Sequence, residues 1–577
     1  MIHRTAICLA ALAFILAAAT GCGSAPGTPT AAPAATIDSD LLDVTVAQLH
    51  RFYADKKYTV TQVVRWHLDR IDRYNGVYGA IETVFRAAAL AEARRQDADA
   101  ATANHGPLWG VPIVIKANTS IKGQVTSAGW EGFTHLGHEL IAPQDATIVT
   151  KFKVAGAIIV GHTNMPDLAN SDTNRSSSFG RTGNAYDVRF SPGGSSGGTV
   201  TAVAANMAVL GNGTDTGNSI RMPAATSALV GVFPTRGLVS IAGIAPLDWL
   251  LDNTGPIARN AADAAIALAV MTGVDPLDAA TTQTPASKQP GPYEPYLKAD
   301  ALKGKRFGVP AFILAGEGVP FHGIPAKVPG AAAEKYRVGA TLLLRPETLQ
   351  MFLKAVEALR AAGAEVVVDA GLLPAAFAKT ASRVATYAYM QDGTNRFLAA
   401  FGPARYHSAA DYLKATGRPL FTSSIGSEAS FNNIGGVRID QRLLDADPDA
   451  ERNYHAPKRA TLAAYLETMD RLKLDGYVYP AIQMPPPDET MAQDGALSGG
   501  PHSNTSWVNM IGVPAVVVPA GFYESGLPFG LEFSSRPWTD GDLLAVAYAW
   551  EQATKRRKPP TLVEQGLLPT TPARPAR

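Results

Sequence analysis

The sequence predicts an α/β fold in which helices cover both faces of a central sheet. Short apolar runs such as Val111 to Ile115, interrupted only by Pro112, are typical of strands that are buried on both faces. Segments with apolar residues at helical spacing alternate with these runs, and that alternation indicates a helix-covered sheet. Charged residues make up 18% and hydrophobic residues 46% of the 577 residues, which excludes disordered, collagen-like and coiled-coil chains.

The first half of the chain supplies several element boundaries. The capping-box pattern Thr59-x-x-Gln62 starts one helix, and Asp145 is a candidate N-cap for another. In chain order we expect a helix from 59 to 74, a helix over 87–103, a strand over 111–115, a helix from 145 to 154, a strand over 157–160, a helix over 200–207 and a strand over 208–211.

The second half continues the same alternation without an internal repeat. Connectors rich in proline and glycine, at 289–295 and 320–329, predict loops inside one domain. The expected elements are a strand starting at Phe307, a helix over 347–362, a strand over 365–369, helices over 387–401 and 461–472, strands over 476–480 and 515–519, and a closing helix over 543–553.

Charge and cysteine content exclude some functions. The chain has 51 basic and 50 acidic residues, so it lacks the basic surplus that nucleic acid binding requires. Its two cysteines, Cys8 and Cys22, both precede the folded part. A processed protein therefore has no intramolecular disulfide, cysteine-based metal site or thiol nucleophile.

The N-terminus predicts an exported, lipid-anchored protein. The apolar run from Ala6 to Ala19 is about 21 Å long as a helix, which is too short to span a bilayer and typical of a signal peptide over 1–21. The run ends at Cys22 in a sequence resembling a bacterial lipobox, and 22–40 reads as a flexible tether. We expect an extracytoplasmic protein attached to the cell envelope through lipidated Cys22, or, as the alternative, a secreted protein with an incidental cysteine.

A glycine-rich segment from Ser191 to Ser219 carries the strongest functional signal. It contains seven glycines and one charged residue, Asp215. Serine hydroxyls beside glycine N–H groups indicate nucleophilic acyl transfer with a backbone oxyanion hole. Such a serine needs a general base, and His162 and Lys116 are both candidates for it. A lysine that ends an apolar strand loses its proton readily because burial disfavours the ammonium, although it could equally be structural.

These motifs together resemble the amidase signature family. The matching pieces are Trp109 to Lys116, Ser191-Pro-Gly-Gly-Ser195-Ser196-Gly-Gly, Gly213-Thr-Asp-Thr-Gly-Asn-Ser219-Ile-Arg221-Met-Pro, Gly231 to Gly237, Asn509 to Pro519 and Gly526 to Leu531. The two serines are 24 residues apart, as in that family. The resemblance covers about 41–553.

The resemblance implies an α/β/α sandwich with a mixed central sheet and a Ser-(cis)Ser-Lys triad. Ser219 would be the nucleophile, Ser195 after a cis peptide would shuttle its proton, and neutral Lys116 would accept it. The N–H groups of Thr216, Gly217 and Asn218, with that of Ser219, would hold the oxyanion. The resemblance also implies supporting roles for Ser196, Asp215 and Arg221, and no metal or cofactor.

Two positions depart from the family pattern. Asn218 stands where the family has a second glycine, and asparagine tolerates a positive φ better than most residues. Ala117 replaces the usual acidic residue after the lysine. Because Lys116 is retained, we interpret the change at Ala117 as an adjustment of an active site and not as loss of activity.

Three other features have simpler interpretations. His135 and His138 lack the carboxylate or cysteine partners of a metal site and are expected at the surface. The acidic residues at 445, 447 and 449 lack the glycine and final glutamate of a calcium loop. Aromatic residues over 387–401 are expected in the core, with some of them lining an acyl pocket if the family resemblance extends there.

The sequence therefore predicts an amide hydrolase with a domain over 41–560 and a proline-rich tail over 561–577. Its partner would be a small-molecule or peptide amide, with a membrane contacted only through the lipid anchor. An esterase or urethane hydrolase would use the same triad. A ligand-binding surface lipoprotein on an inactive scaffold is the alternative from another class, and a role in a tRNA-dependent amidotransferase conflicts with the predicted export.

Overall fold

The computed structural model describes residues 36–100, 105–285, 291–314, 344–420, 441–490 and 500–560. The chain divides into two units. In the first, which ends at Leu42, the described part holds the short helix Ile37–Leu41. The second unit starts at Asp43 and contains every element described below. The predicted signal peptide, Cys22, most of the predicted tether and the proline-rich tail lie outside the described residues.

The core of the second unit is an 11-stranded sheet, and a separate two-stranded ribbon accompanies it. In chain order the strands are β1 (Ile81–Val84), β2 (Pro112–Lys116), β3 (Ile158–Thr163), β4 (Arg175–Ser176), β5 (Gly180–Arg181), β6 (Leu210–Asp215), β7 (Val230–Phe233), β8 (Asn253–Ala258), β9 (Arg306–Val309), β10 (Glu365–Val368), β11 (Gly476–Pro480), β12 (Ala515–Phe522) and β13 (Pro528–Ser534). The spatial order is β1-β3-β2-β6-β8-β7-β12-β13-β11-β9-β10.

The sheet is mixed, which confirms the predicted fold class. β2 runs parallel to both β3 and β6, while β6, β8, β7, β12 and β13 pair antiparallel in succession. Every residue of β2, β6 and β8 is buried, as expected for strands covered on both faces. This double burial explains why β2 reads as an apolar run in the sequence, whereas β8, which starts with Asn253 and Thr254, was not predicted.

The helices of the second unit cover the sheet and connect its strands. They are Val46–Ala54, Val60–Tyr78, Arg86–Ala98, Thr147–Val154, Gly197–Ala204, Arg221–Ala225, Ala261–Met271, Ala311–Leu314, Pro346–Ala361, Ala375–Ala381, Met390–Phe401, Ala409–Thr416, Ala456–Leu472, Trp507–Ile511 and Asp540–Thr554. Most predicted helices are confirmed within a few residues at each end, and the Thr59–Gln62 capping box forms as expected.

Two local predictions are wrong. Asp145 does not cap the helix Thr147–Val154, whose N-cap is Ala146, because the Asp145 carboxylate accepts the Lys122 N–H and pairs with Lys153. The strand expected over 208–211 instead runs through Leu210–Asp215. Its glycines do not form a loop: a Cβ at Gly213 would come within 2.9 Å of Ser196 Oγ, so glycine allows the strand to pack closely against that serine.

The sheet topology brings the predicted site residues together. Because β2 and β6 are adjacent and parallel, their carboxyl ends, Lys116 and Asp215, meet at the same edge of the sheet. The helix Gly197–Ala204 packs on both strands, and its N-terminus carries Ser195 and Ser196 to that edge. The loop from Thr216 to Ile220 leaves the end of β6 at the same place.

Candidate active site

Lys116 is the buried centre of the candidate site. Its side chain has no exposed surface. The Nζ atom donates to Ser195 Oγ at 2.7 Å and to Ser196 Oγ at 3.0 Å, and it lies 2.7 Å from Thr214 Oγ1. The Ser196 hydroxyl in turn donates to the Thr214 carbonyl oxygen, so its lone pairs face the amine. The lysine is thus surrounded by hydroxyl groups, and no carboxylate among the described residues is in direct contact with it.

Burial sets the protonation of this lysine. Removing the ammonium from water lowers the pKa of Lys116 to about 7, although the nearby carboxylates of Asp215 and Asp252 act to raise it. An amine with this pKa is substantially neutral at neutral pH. The expectation of a strand-ending lysine that can serve as a base is therefore consistent with its surroundings.

Ser195 follows a cis peptide bond with Gly194. The loop around this bond is tightly packed, since a Cβ at Gly194 would meet the Ser171 and Thr173 carbonyl oxygens at 2.5 and 2.6 Å. The preceding Gly193 has a φ of +72°, a conformation that favours glycine. These contacts hold the Ser195 hydroxyl against Lys116, and they show why the segment needs two consecutive glycines.

Ser219 lies in the adjoining loop and is 5% exposed. Its carbonyl oxygen accepts the N–H of Ser196 at 3.2 Å, which ties the two serine loops together. The Ser219 hydroxyl donates to Asn218 Oδ1 at 3.4 Å, and Asn218 Nδ2 donates to Asp172 Oδ1 at 3.1 Å. Asn218, the residue that departs from the family pattern, therefore contacts the hydroxyl of the predicted nucleophile.

The loop that precedes Ser219 presents backbone N–H groups. Among the hydrogen bonds of the described residues, none uses the N–H groups of 216–219. The loop is fixed through its other atoms instead: Thr216 Oγ1 donates to Asp252 Oδ1 at 2.5 Å, and the Gly217 carbonyl oxygen accepts from Arg221 at 2.7 Å. Such a row of N–H donors can bind an oxyanion.

Arg221 fixes this loop to the neighbouring strands and helix. Its guanidinium is completely buried and pairs with Asp215 at 3.0 Å and with Glu532 at 2.7 Å. It also donates to Asn509 Oδ1 at 2.6 Å. Burial alone would raise the pKa of Asp215, but the adjacent Arg221 guanidinium holds that pKa below its ordinary value. Burial raises the pKa of Glu532 to about 7. Arg221 thus joins β6, the Ser219 loop, β13 and the helix Trp507–Ile511.

Several other candidates lie elsewhere. His162 is on β3, where its ring packs edge-on against Phe85 at 5.1 Å, and no hydrogen bond within the described residues joins it to Ser195 or Ser219. Burial lowers the pKa of His162 to about 4, so it is neutral. His135 and His138 stack on each other, and the described residues contain no group of side chains that could hold a metal ion. The acidic residues at 445, 447 and 449 pair with arginines.

Ala117 and the predicted aromatic segment belong to apolar clusters. Ala117 is buried with Ala128, Leu168 and Leu247 in a cluster that also contains Phe397 and Phe401. The apolar surroundings of Ala117 suit a methyl group. Tyr389 packs in a second cluster and donates to Asp447.

Some residues of the site were missed by sequence reasoning. Thr214 and Asn509 lie inside motifs that were identified, but no pattern assigned them a contact. Asp252 and Asp172 gave no signal at all, because each reaches the site from a loop distant in sequence from its partner, Thr216 or Asn218.

Comparison with known proteins identifies a family over most of the chain. The family model described as Amidase matches residues 62–319 and 335–544. A glutamyl-tRNA(Gln) amidotransferase subunit from Alkaliphilus metalliredigens is 31% identical over 530 residues, covering 88% of this chain and 96% of the relative. The equivalent subunit from Symbiobacterium thermophilum is 31% identical over 535 residues, covering 91% of this chain and 99% of the relative.

Solved structures share the fold. The peptide amidase from Stenotrophomonas maltophilia has a TM-score of 0.71 and 29% identity, covering 90% of this chain and 98% of its own. An amidase family protein from Bacillus anthracis has a TM-score of 0.68 and 24% identity, covering 92% of this chain and 95% of its own, and that likeness shows the fold alone.

The predicted localisation is wrong. The relatives that match nearly the whole chain are named as subunits of an enzyme for glutamyl-tRNA. The prediction of an exported, lipid-anchored protein does not agree with these relatives. Within the described ranges, every helix is too short or too polar to cross a bilayer.

The first testable prediction concerns the buried arginine. Arg221→Met leaves the carboxylates of Asp215 and Glu532 without their cation, and we expect the free energy of unfolding to fall by about 3–5 kcal/mol. Denaturant unfolding followed by circular dichroism measures the change. The matched control is Arg536→Met, whose surface pair with Asp470 should contribute under about 1 kcal/mol. Equal losses in the two variants would refute the anchoring role of Arg221.

Proposed function

The chain belongs to the amidase family, whose members act on amides, and we propose that it hydrolyses an amide through an acyl-enzyme on Ser219. The observation that carries this proposal is the amine of Lys116, with a pKa near neutrality, 2.7 Å from Ser195 Oγ beside the loop of Ser219. A nucleophile, a hydroxyl relay, a neutral base and a row of N–H donors are the parts that acyl transfer needs.

In the first half of the reaction, Ser219 Oγ attacks the carbonyl carbon of the amide. Its proton passes to Ser195 Oγ as the Ser195 proton passes to Lys116 Nζ. The Ser219 hydroxyl first leaves its contact with Asn218. The N–H groups of 216–219 stabilise the negative charge that develops on the carbonyl oxygen, where fixed dipoles are most effective.

Collapse of the tetrahedral intermediate breaks the C–N bond. The proton held on Lys116 returns through Ser195 to the nitrogen, which leaves as an amine or ammonia. Water then attacks the Ser219 ester along the same relay and releases the carboxylic acid. Three residues support these reaction steps indirectly: Ser196 holds Lys116 in place, and Asp215 and Arg221 hold the loop of 216–219.

The likeness to a peptide amidase supports a peptide C-terminal amide as substrate. A non-peptide carboxylic amide fits the same chemistry. Esters and urethanes also form acyl-enzymes, and their relative rates depend on how strongly the leaving group needs the proton from Lys116.

A second candidate function is amide transfer within a multi-subunit amidotransferase. It is favoured by relatives that are 31% identical over 88–91% of the chain and carry that name. An amidotransferase passes the amide nitrogen to a second substrate, so the isolated chain would turn over amides poorly.

An amide panel separates the two candidates. We expect the purified chain alone to hydrolyse primary, aryl or peptide C-terminal amides with multiple turnovers, as measured by ammonia or amine release. Activity that appears only after a partner protein and an acceptor are added would favour the amidotransferase.

The triad makes a direct prediction. Ser219→Ala should abolish turnover and labelling by a serine-directed phosphonate, while Ser195→Ala and Lys116→Ala should each lower the acylation rate by about three orders of magnitude or more. Burst kinetics with an activated amide measure acylation.

The matched control for these variants is Ser227→Ala. Ser227 is also fully buried, and its hydroxyl has no hydrogen-bond partner among the described residues. It should retain nearly full activity. A rate close to that of the unaltered protein in any triad variant would remove that residue from the mechanism.

The pH profile tests the neutral lysine. Below its pKa of about 7 the Lys116 ammonium cannot accept a proton, so kcat/KM for an uncharged amide should fall as the pH falls through 7. The apparent pKa of an amine shifts strongly with temperature, whereas that of a carboxyl group does not, which identifies the group. An acid limb that does not respond to temperature would contradict the assignment.

A further inference from the structure

Asp172 is a carboxylate beside the predicted nucleophile that the mechanism above does not use. It lies in the loop between β3 and β4, where this loop packs against the cis peptide of Ser195 and against Gly500. A Cβ at Gly500 would meet the Asp172 carbonyl oxygen at 2.4 Å. The backbone of Asp172 is therefore fixed by contacts that also hold the loop carrying Ser195.

The side chain of Asp172 points toward the reacting hydroxyl. Its Oδ1 accepts the amide N–H of Asn218 at 3.1 Å, and the oxygen of the same amide lies 3.4 Å from Ser219 Oγ. One short side chain therefore separates the carboxylate from the nucleophile. The Asp172 side chain is 29% exposed, so it is partly open to solvent. Desolvation by the surrounding protein raises the pKa of Asp172 to about 6, which leaves the carboxylate largely ionised at neutral pH.

Within the part of the chain that the structure describes, the charge of Asp172 is poorly compensated. Among the described residues, the one cationic group within ion-pair distance is His502, whose Nδ1 is 4.0 Å from Oδ2 and is charged only when protonated. The neighbouring carboxylates of Asp215 and Asp252 differ from that of Asp172 because each has strong partners. Asp215 is fully buried and pairs with Arg221, and buried Asp252 accepts hydrogen bonds from a threonine hydroxyl and from backbone N–H groups.

We infer that Asp172 is a specificity-determining residue that selects amides carrying a positive charge close to the scissile carbonyl, as α-amino amides do, in preference to peptide C-terminal amides, whose α-nitrogen is acylated and uncharged. This inference rests on the proposed function. The ammonium group on the carbon next to the carbonyl pairs with Asp172 while the carbonyl carbon faces Ser219. Asn218 holds the carboxylate in place through its amide N–H, which gives this departure from the family pattern a role in substrate selection.

The test compares two amides of nearly the same shape. L-Leucinamide carries the α-ammonium group, and 4-methylpentanamide has hydrogen in its place. We expect the unaltered protein to prefer leucinamide in kcat/KM at neutral pH. Asp172→Asn keeps an acceptor for Asn218 and should lower kcat/KM for leucinamide by about ten- to a hundredfold, with that for 4-methylpentanamide within about twofold.

Asp470→Asn is the matched control, because it removes a carboxylate that is 69% exposed and pairs with Arg536 away from the site. It should behave like the unaltered protein. Turnover of both amides without preference for leucinamide, or a preference that persists in Asp172→Asn, overturns the inference and leaves the proposed function standing. Absence of turnover for every amide, together with absence of Ser219 labelling, overturns the proposed function itself.

Discussion

The site depends on a buried amine, that of Lys116, which no carboxylate contacts in the described part of the chain. A protonated lysine in such a place is costly, so the protein holds Lys116 near the point at which it is neutral. Hydroxyl and carbonyl oxygens around Nζ satisfy its hydrogen bonds without restoring the ammonium. The full burial of β2 and β6 creates this environment, and the position of Lys116 at the end of β2 delivers the amine to the serine loops.

A second constraint is the rigid pairing of the two serine loops. The N–H of Ser196 binds the carbonyl oxygen of Ser219, and Arg221 ties the second loop to Asp215, Glu532 and Asn509. These anchors come from strands and a helix far apart in sequence. Donors that stabilise developing charge are effective only when they are fixed before the reaction, so the buried ion-pair network serves the proposed chemistry as well as folding.

Two positions near the candidate site depart from the family pattern, and only Asn218 contacts Ser219. Ala117 fits an apolar cluster, and Asn218 adds an amide between Ser219 and Asp172. Both positions were recognised in the sequence as departures, but their consequences come from neighbours that the sequence did not indicate. The substrate preference that we infer arises from Asp172, which approaches the site only through the packing of its loop on Gly500 and the cis peptide.

The sequence by itself determined the alternating elements, the mixed α/β class and the family, because apolar periodicity and glycine-rich motifs are local properties of the chain. It also indicated that Lys116 would be buried. It misassigned Asp145 and the start of β6, where tertiary contacts decide which partner a carboxylate takes and how closely two backbones approach. The tertiary structure alone decided the roles of Thr214, Asp252, Asn509 and Asp172, because hydrogen bonds between distant loops leave no periodic pattern in the sequence.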